Sequence, residues 1–410
     1  TAWVQPPGTP IVGGTFLDVY ERTGDKYYLA AAKETAYALV AGQLKSGGWD
    51  YRIEYDPKDR RRYAYRIDGD NAGSRNVTTL DDNNTQSALR FLMRTDRTLQ
   101  FKDQKIHEAV EYALESLLKA QYPNGSWPQR FSEFPDPEKH PVKKASYPKT
   151  WSRVWPSKDY RGYYTFNDNS IADVIDTMFD ATEIYGEERF QAAAEKAGDF
   201  MILAQMPDPQ PGWAQQYDAD MHPAWARKFE PASVTGGESQ GVMRSLLKLY
   251  RRTGKKKFLE PIPRALAYYK KSLLPDGRLA RFYELKTNRP LYFVKDTYEL
   301  TYSSDNMPTH YGFITGSRLD SIEAEYRRLQ KTDPSDLNPP REKPSYRLTS
   351  ELSAQAKAVV GSLDSRGAWV EEGRLRSHGA DDPTRQILNT RTFINNVSIL
   401  SRFLAASRAK

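Results

Sequence analysis

One phrase returns along this chain: a helix end, a Pro/Gly turn, then a tryptophan or leucine. It reads GQLKSGGWDY from Gly42 to Tyr51, LKAQYPNGSWPQRF from Leu118 to Phe131, and LAQMPDPQPGWAQQY from Leu203 to Tyr217. Weaker copies are LLPDGRLARFYE from Leu273 to Glu284 and GSLDSRGAW ending at Trp369. A phrase that recurs in this way marks a repeated supersecondary unit, and the unit constrains the fold more than any local propensity. A helical stripe precedes each turn. Val110, Ala113, Leu114, Leu117 and Leu118 fall at i, i+3, i+4, i+7 and i+8, and Phe258, Ile262, Ala265, Leu266 and Tyr269 keep nearly the same spacing. Another stripe lies upstream of each: Ala88, Leu89, Leu92 and Met93; Ile171, Val174, Ile175, Met178 and Phe179; Val242, Leu246, Leu249 and Tyr250. Short polar breaks with glycine (RTGD, IYGEE, RRTGK) join the two helices of a pair, as helix C-termini require.

The unit is therefore helix, turn, helix and a longer Gly/Trp loop, repeated about five times. Strand-like alternation is sparse. This predicts an all-α fold of repeated helical hairpins closing into an α/α toroid or barrel, with unequal spacings arguing against a regular solenoid. The hairpins occupy residues 1–331. Residues 332–346 carry four prolines and many charges and read as a linker, and residues 347–410 read as a last helical hairpin or small appendix. The stretch from Ser132 to Gly162, rich in Pro, Lys and aromatics, also breaks the rhythm.

The net charge of +7 favours an anionic partner. The basic runs at Lys255–Lys257 and Arg60–Arg62 come without any nucleic-acid-binding pattern, and no apolar run is long enough to span a bilayer. Charge does not choose among nucleic acid, a membrane surface and an acidic polymer, and the surplus of Tyr and Trp suits stacking on sugar faces or packing in a core. The chain holds no cysteine, so disulfides and thiolate chemistry are excluded.

A polar cluster opens each new helix pair: TTLDDNNT from Thr78, YYTFNDNSI from Tyr163 and ARKFEPASVTGGES from Ala226. In a toroid such loops converge on one mouth. Asp81, Asp82 and Asp168 offer hard oxygen ligands for Ca²⁺; the competing reading is helix N-capping, which the neighbouring Asn169 and Ser170 suit. Arg227, beside Trp225 and Phe229, can clamp a sugar carboxylate through both edges of its guanidinium or simply stack on Trp225. Gly237-Glu-Ser-Gln-Gly241 matches the nucleophile-elbow pattern, but that elbow needs a strand before and a helix after in an α/β sheet. The histidines show no metal-ligand spacing.

At these motifs the chain resembles the family-10 pectate lyases over roughly Gly47 to Gly312. The residues that carry the resemblance are Gly47-Gly-Trp, TLDDNNT, AQYPNGSWPQ, TFNDNS, ARKFEPASVTGGES and LARFYELKTNRPLYFVKD. The resemblance implies an α/α toroid and Ca²⁺-dependent β-elimination on polygalacturonate. It carries functional roles onto Asp81, Asp168 and a substrate-binding Arg227. The family's base is an arginine in an Arg-Asp pair, a position that aligns with Lys295 and Asp296 here. Lys295 is thus the expected base and Arg289 its substitute, because a neutral lysine is easier to reach than a neutral arginine. The proton to be removed lies on C5, α to a carboxylate whose developing charge Ca²⁺ and Arg227 would stabilise. Arg289, Trp225, Trp127, Trp213 and Asn167 are the substrate-binding candidates, with Trp49 a further stacking candidate. A secreted or periplasmic monomer acting on an acidic polysaccharide is expected. Two alternatives stay open: a non-catalytic acidic-glycan-binding protein, and an α/α-barrel glycoside hydrolase using two carboxylic acids.

Overall fold

The computed structural model describes residues 1–71, 73–339, 345–375, 378–379 and 381–408. Its helices are α1 (Thr9–Thr23), α2 (Lys26–Val40), the single turn α3 (Pro57–Arg60), α4 (Asn84–Thr98), α5 (Gln104–Lys119), α6 (Ser170–Tyr185), α7 (Glu188–Leu203), α8 (Gly236–Thr253), α9 (Ile262–Lys271), α10 (Leu319–Lys331), α11 (Ser350–Gly361) and α12 (Thr390–Arg408). The fold is all-α and built of repeated helical hairpins, the class expected of an α/α toroid or barrel. The chain forms two compact units. One comprises residues 1–76, 87–113 and 341–410; the other comprises residues 77–86 and 114–340.

In the first unit α1 packs on both α2 and α12, and α11 packs on α12. The C-terminal residues are tied to the N-terminal helices there: Arg22 donates from Nη1 to Ser401 Oγ and from Nε to Tyr346 Oη. Residues 340–344 of the expected linker lie outside the described residues.

The second unit carries the hairpin α6/α7, with α8 against α7 and α10 against both α8 and α9. Two of the predicted turns are left-handed glycines. Gly186 (φ 74°) closes α6 by donating to Thr182 O, and Gly254 (φ 68°) closes α8 by donating to Tyr250 O. A side chain there would meet the strain that L-residues incur at positive φ.

The recurring tryptophan has one structural role in every copy. Its indole N–H donates to a carbonyl in the last turn of the preceding helix: Trp49 to Leu39 O (2.8 Å), Trp127 to Leu117 O (2.8 Å), Trp213 to Met201 O (2.7 Å) and Trp369 to Val359 O (2.9 Å). Carbonyls at a helix end lack intrahelical donors, and the indole supplies one while its ring fills the core. Trp49, Trp127 and Trp213 are fully buried. The assignment of Trp127 and Trp213 to sugar binding, and of Trp49 to stacking, is therefore corrected: these rings have no face open to a ligand.

Short antiparallel strands complete each repeat. Within the second unit these are β1 (Thr78–Thr79) with β2 (Arg130–Phe131), β3 (Tyr164–Thr165) with β4 (Gln216–Tyr217), and β5 (Val234–Thr235) with β6 (Phe282–Tyr283). Each ties the segment before one hairpin to the segment that follows its closing turn. β6 also pairs with β7 (Pro290–Phe293), which pairs with β8 (Leu300–Thr301). This register places the site.

Candidate active site

Three repeats of the second unit present the same two positions. One residue beyond the first strand of each pair come Asp81-Asp82, Asn167-Asp168 and Gly237-Glu238; immediately before the second strand stand Gln129, Gln215 and Arg281. The first two loops share a conformation as well. Asp82 and Asn83 have φ of 52° and 56°, and Asp168 and Asn169 have φ of 48° and 58°. In both, the first loop residue donates its backbone N–H to the preceding strand threonine: Asp81 to Thr79 Oγ1 (3.3 Å) and Asn167 to Thr165 Oγ1 (3.0 Å). Consecutive non-glycine residues in the left-handed region are uncommon, and such costly backbone persists mainly where a site needs its side chains held in place.

The two loops touch, and carboxylate oxygens of Asp81, Asp82 and Asp168 come within 4.8 Å of one another. The structure thus brings together all three residues expected to hold a metal. Asp81 is buried and accepts from Arg130 Nη2 at 3.3 Å, while Asp82 and Asp168 are exposed. Asn167 Nδ2 donates to Asp168 Oδ2 at 2.7 Å. Partial removal from water, and then the neighbouring charges of Asp81 and Asp82, push the Asp168 carboxyl up to about 6; Arg227 and Arg281 pull against them. Crowded carboxylates of this kind fit a hard divalent cation, which would offset their repulsion. The capping role open to Asn169 is not taken up. Asn169 stands at the N-cap of α6 without a side-chain cap bond, and Ser170 Oγ instead donates to Asn167 O (2.8 Å).

Two arginines supply the opposite charge. Arg227 is pinned by Glu230, which is fully buried: Nε donates to Oε2 (2.8 Å) and Nη2 to Oε1. Trp225 Nε1 donates to Arg227 O (2.9 Å), so Trp225, itself buried, supports this loop and does not present a stacking face. The paired Glu230 holds Arg227 protonated against the effect of burial. Burial disfavours the Glu230 charge, yet the Arg227 pair holds its carboxyl below the usual glutamate range. Tyr311 Oη donates to Glu230 Oε1 at 2.8 Å, and its ring lies under the Arg281 guanidinium at 4.5 Å. Arg281 in turn donates to Glu238. An open cleft of about 230 Å³, lined by Asp168, Asn169, Glu238 and Arg281 among others, adjoins the acidic loops.

Lys295, the expected base, belongs to another segment. It lies exposed in the turn between β7 and β8, its backbone N–H donating to Asn306 O (2.8 Å). That turn reaches the Arg227 loop through Phe293 on Trp225 and Tyr298 on Phe229. Arg289 stacks on Tyr302, 3.3 Å from the ring centre, and not on the aspartates. Sequence reasoning missed Arg281 as a member of this cluster. Its signal was present: laying the repeated phrases over one another puts Arg281 on Gln129 and Gln215, the odd charged residue at a recurring polar position.

The geometry also bears on the alternatives. Ser239 lies in the first turns of α8, buried, with Oγ bonded to the Trp213 backbone and to Tyr269 Oη; it is no nucleophile. Paired glycosidase carboxyls stand about 5–5.5 Å apart in retaining enzymes and about 6.5–9.5 Å in inverting ones. The present cluster is tighter.

The profile of the pectic acid lyase family matches residues 43–278. No curated protein matches the sequence. Among solved structures, the chain is similar to a family 10 polysaccharide lyase from Cellvibrio cellulosa: 22% identity, TM-score 0.52, covering 72% of this chain and 91% of that one. It is equally similar to a point mutant of that lyase in complex with trigalacturonic acid: 21% identity, TM-score 0.52, covering 72% and 92%. The structural likeness concerns the fold, and the family match spans more than half of the sequence. The chain belongs to the pectic acid lyase family and is a pectate lyase-like polysaccharide lyase.

Proposed function

We propose that this lyase cleaves a polyuronate of the polygalacturonate kind by β-elimination, with Ca²⁺ held by Asp81, Asp82 and Asp168. The observation that carries the reading is the meeting of three carboxylates with two guanidiniums at one cleft. Bound there, Ca²⁺ would draw charge from a uronate carboxylate and so acidify the adjacent C5–H. Arg281, held by Glu238 and Tyr311, offers a second fixed positive charge to that carboxylate. Arg227 spends Nε and Nη2 on Glu230 and keeps Nη1 for the substrate. The resemblance implies an arginine base, and Arg227 takes that role in this reading, with Lys295 outside the reacting groups. Because Glu230 favours the protonated guanidinium, such a base acts at alkaline pH. The proton leaves C5, the electron pair forms the new C4–C5 double bond, and the glycosidic oxygen departs from C4.

A polymer substrate places the enzyme outside the cytoplasm, secreted or periplasmic, acting as a monomer. Among the described residues no helix is long and apolar enough to cross a membrane. The test is incubation with polygalacturonate, with Ca²⁺ or with a chelator, following absorbance of the unsaturated product. Absorbance that grows only with Ca²⁺ is expected. New reducing ends without unsaturation would make it a hydrolase, and no product from any polyuronate would end the lyase reading.

A further inference from the structure

We propose that the strap from Trp151 to Tyr160 is a second carbohydrate-binding element, carrying a stacking platform and a remote anionic-sugar subsite beside the Arg227 cluster. The strap lies in the irregular segment that interrupts the helical repeats. It has no regular secondary structure, yet Arg153 and Trp155 fix its course, and Tyr160 ends it near the cluster. Tyr160, half-buried, lies within the electrostatic reach of Arg227, Glu230, Arg130 and Asp81. Trp155 donates its indole N–H to Ala226 O at 2.9 Å, next to Arg227. Arg153 pairs with Glu284 and donates to Tyr302 Oη at 3.2 Å. Eight consecutive residues thus run from the reacting cluster to a separate arginine pair, a reach of at most about 25 Å for extended chain.

The platform is Trp155. Unlike the buried tryptophans of the repeat, it stands 39% exposed, and its only polar atom is already used on the backbone. What remains outward is a fixed apolar ring, the form of surface on which the C–H face of a sugar packs. The subsite is formed by Arg153 and Arg289, both stacked on the Tyr302 ring, at 5.3 Å and 3.3 Å from its centre. Glu284 is the carboxylate that balances them, so one guanidinium charge is in excess. Arg289 is exposed. A planar cation stiffened by an aromatic ring beneath it suits a carboxylate. One ring next to the reaction centre and one excess cation further along describe an acidic oligosaccharide crossing the strap. This inference rests on the polyuronate reading and extends it from one cluster to an elongated site.

The experiment compares Trp155→Ala, Trp155→Phe and Arg289→Ala with wild type in steady-state cleavage of polygalacturonate. W155A is expected to raise KM about tenfold, a contact of roughly 1.4 kcal/mol, with kcat within about twofold. W155F keeps a ring without the indole N–H and is expected to restore KM to within about twofold of wild type. R289A is expected to raise KM severalfold at low salt and to match wild type at high salt. An unchanged KM in W155A overturns the proposal. So does a fall in kcat alone, which would make the strap a mere support of the Arg227 loop, and so does a W155F that behaves like W155A. If wild type releases no unsaturated product from any polyuronate, it is the lyase reading that fails. The strap is then judged by affinity electrophoresis in pectate gels, where weaker retention of W155A than wild type supports it and equal retention refutes it.

Discussion

Neutralising Asp168 should make the metal-free protein more stable and the Ca²⁺-loaded protein less so. The cluster oxygens lie within 4.8 Å of one another. At that separation two like charges repel by about 1 kcal/mol in water and about 3.5 kcal/mol at an effective dielectric constant of about 20. Asp82 and Asp168 are exposed, which puts each pair toward the lower figure, about 1–2 kcal/mol. Asp168→Asn removes two such pairs and forfeits the attraction of Arg227 and Arg281. Because the Asp168 carboxyl is pushed up to about 6, the unfavourable influences outweigh the favourable ones. A net gain of about 1 kcal/mol for the variant in chelator is expected, or about 2–4 °C in Tm for a unit of this size.

The sign with pH follows. A raised carboxyl costs stability above about pH 6 and ceases to cost it as the pH falls below its ordinary value near 3.8. The advantage of the variant should therefore shrink between those two values. With Ca²⁺ at about a hundredfold over its Kd the wild type gains about 2.7 kcal/mol, and the variant, short of one charged ligand, gains little. Differential scanning calorimetry in EGTA and in CaCl₂ reads all of this. A variant less stable than wild type in EGTA at neutral pH would refute the crowding argument. Equal stabilisation of both proteins by Ca²⁺ would refute the ligand assignment.

Arg227→Ala is expected to lower kcat on polygalacturonate by about a thousandfold or more, and Lys295→Ala by less than about threefold; the reverse order would return the role of base to the lysine. The wild-type rate should keep climbing with alkaline pH, because Glu230 holds Arg227 protonated, and a rate that levels off within the alkaline range would count against Arg227 as the base. Trp213→Phe should destabilise by about 1–3 kcal/mol, losing buried volume and the bond to Met201 O, without a specific effect on KM; denaturant unfolding measures it. His107 is raised above its ordinary value by its bond to buried Asp96, over the opposing effect of burial. Its contribution to stability is full below about pH 6.5 and fades as the pH rises through the folded-state value. His107→Gln should therefore lose more Tm in acid than in alkali, and an equal loss at both would exclude the charged pair.

The helical hairpins were legible because their stripes have the period of a helix and their breaks carry glycine where a left-handed turn is needed. Gly186 and Gly254 stand where the pattern put them. The aspartates were legible because a local motif keeps its meaning: Asp82 and Asp168 occupy one position of one repeated loop. The tryptophans were misread because sequence names an aromatic ring without saying which way it faces. Trp127 and Trp213 point into the core toward carbonyls of their own helices, while Trp155, in a segment without periodicity, faces outward.

The charged side chains were harder to place for a related reason. Alignment by motif carries a residue type along the chain, but the partners of a charged side chain come from distant segments. Arg281 reaches the aspartates because β6 pairs with β5, and Arg227 is fixed because Glu230 and Tyr311 converge on it from segments some eighty residues apart. Local periodicity and turn chemistry act over a few residues, so the sequence alone determined the hairpins, their caps and the acidic loops. Charge pairing and burial act across space. Only the tertiary structure could decide which arginines face the carboxylates and which rings meet solvent.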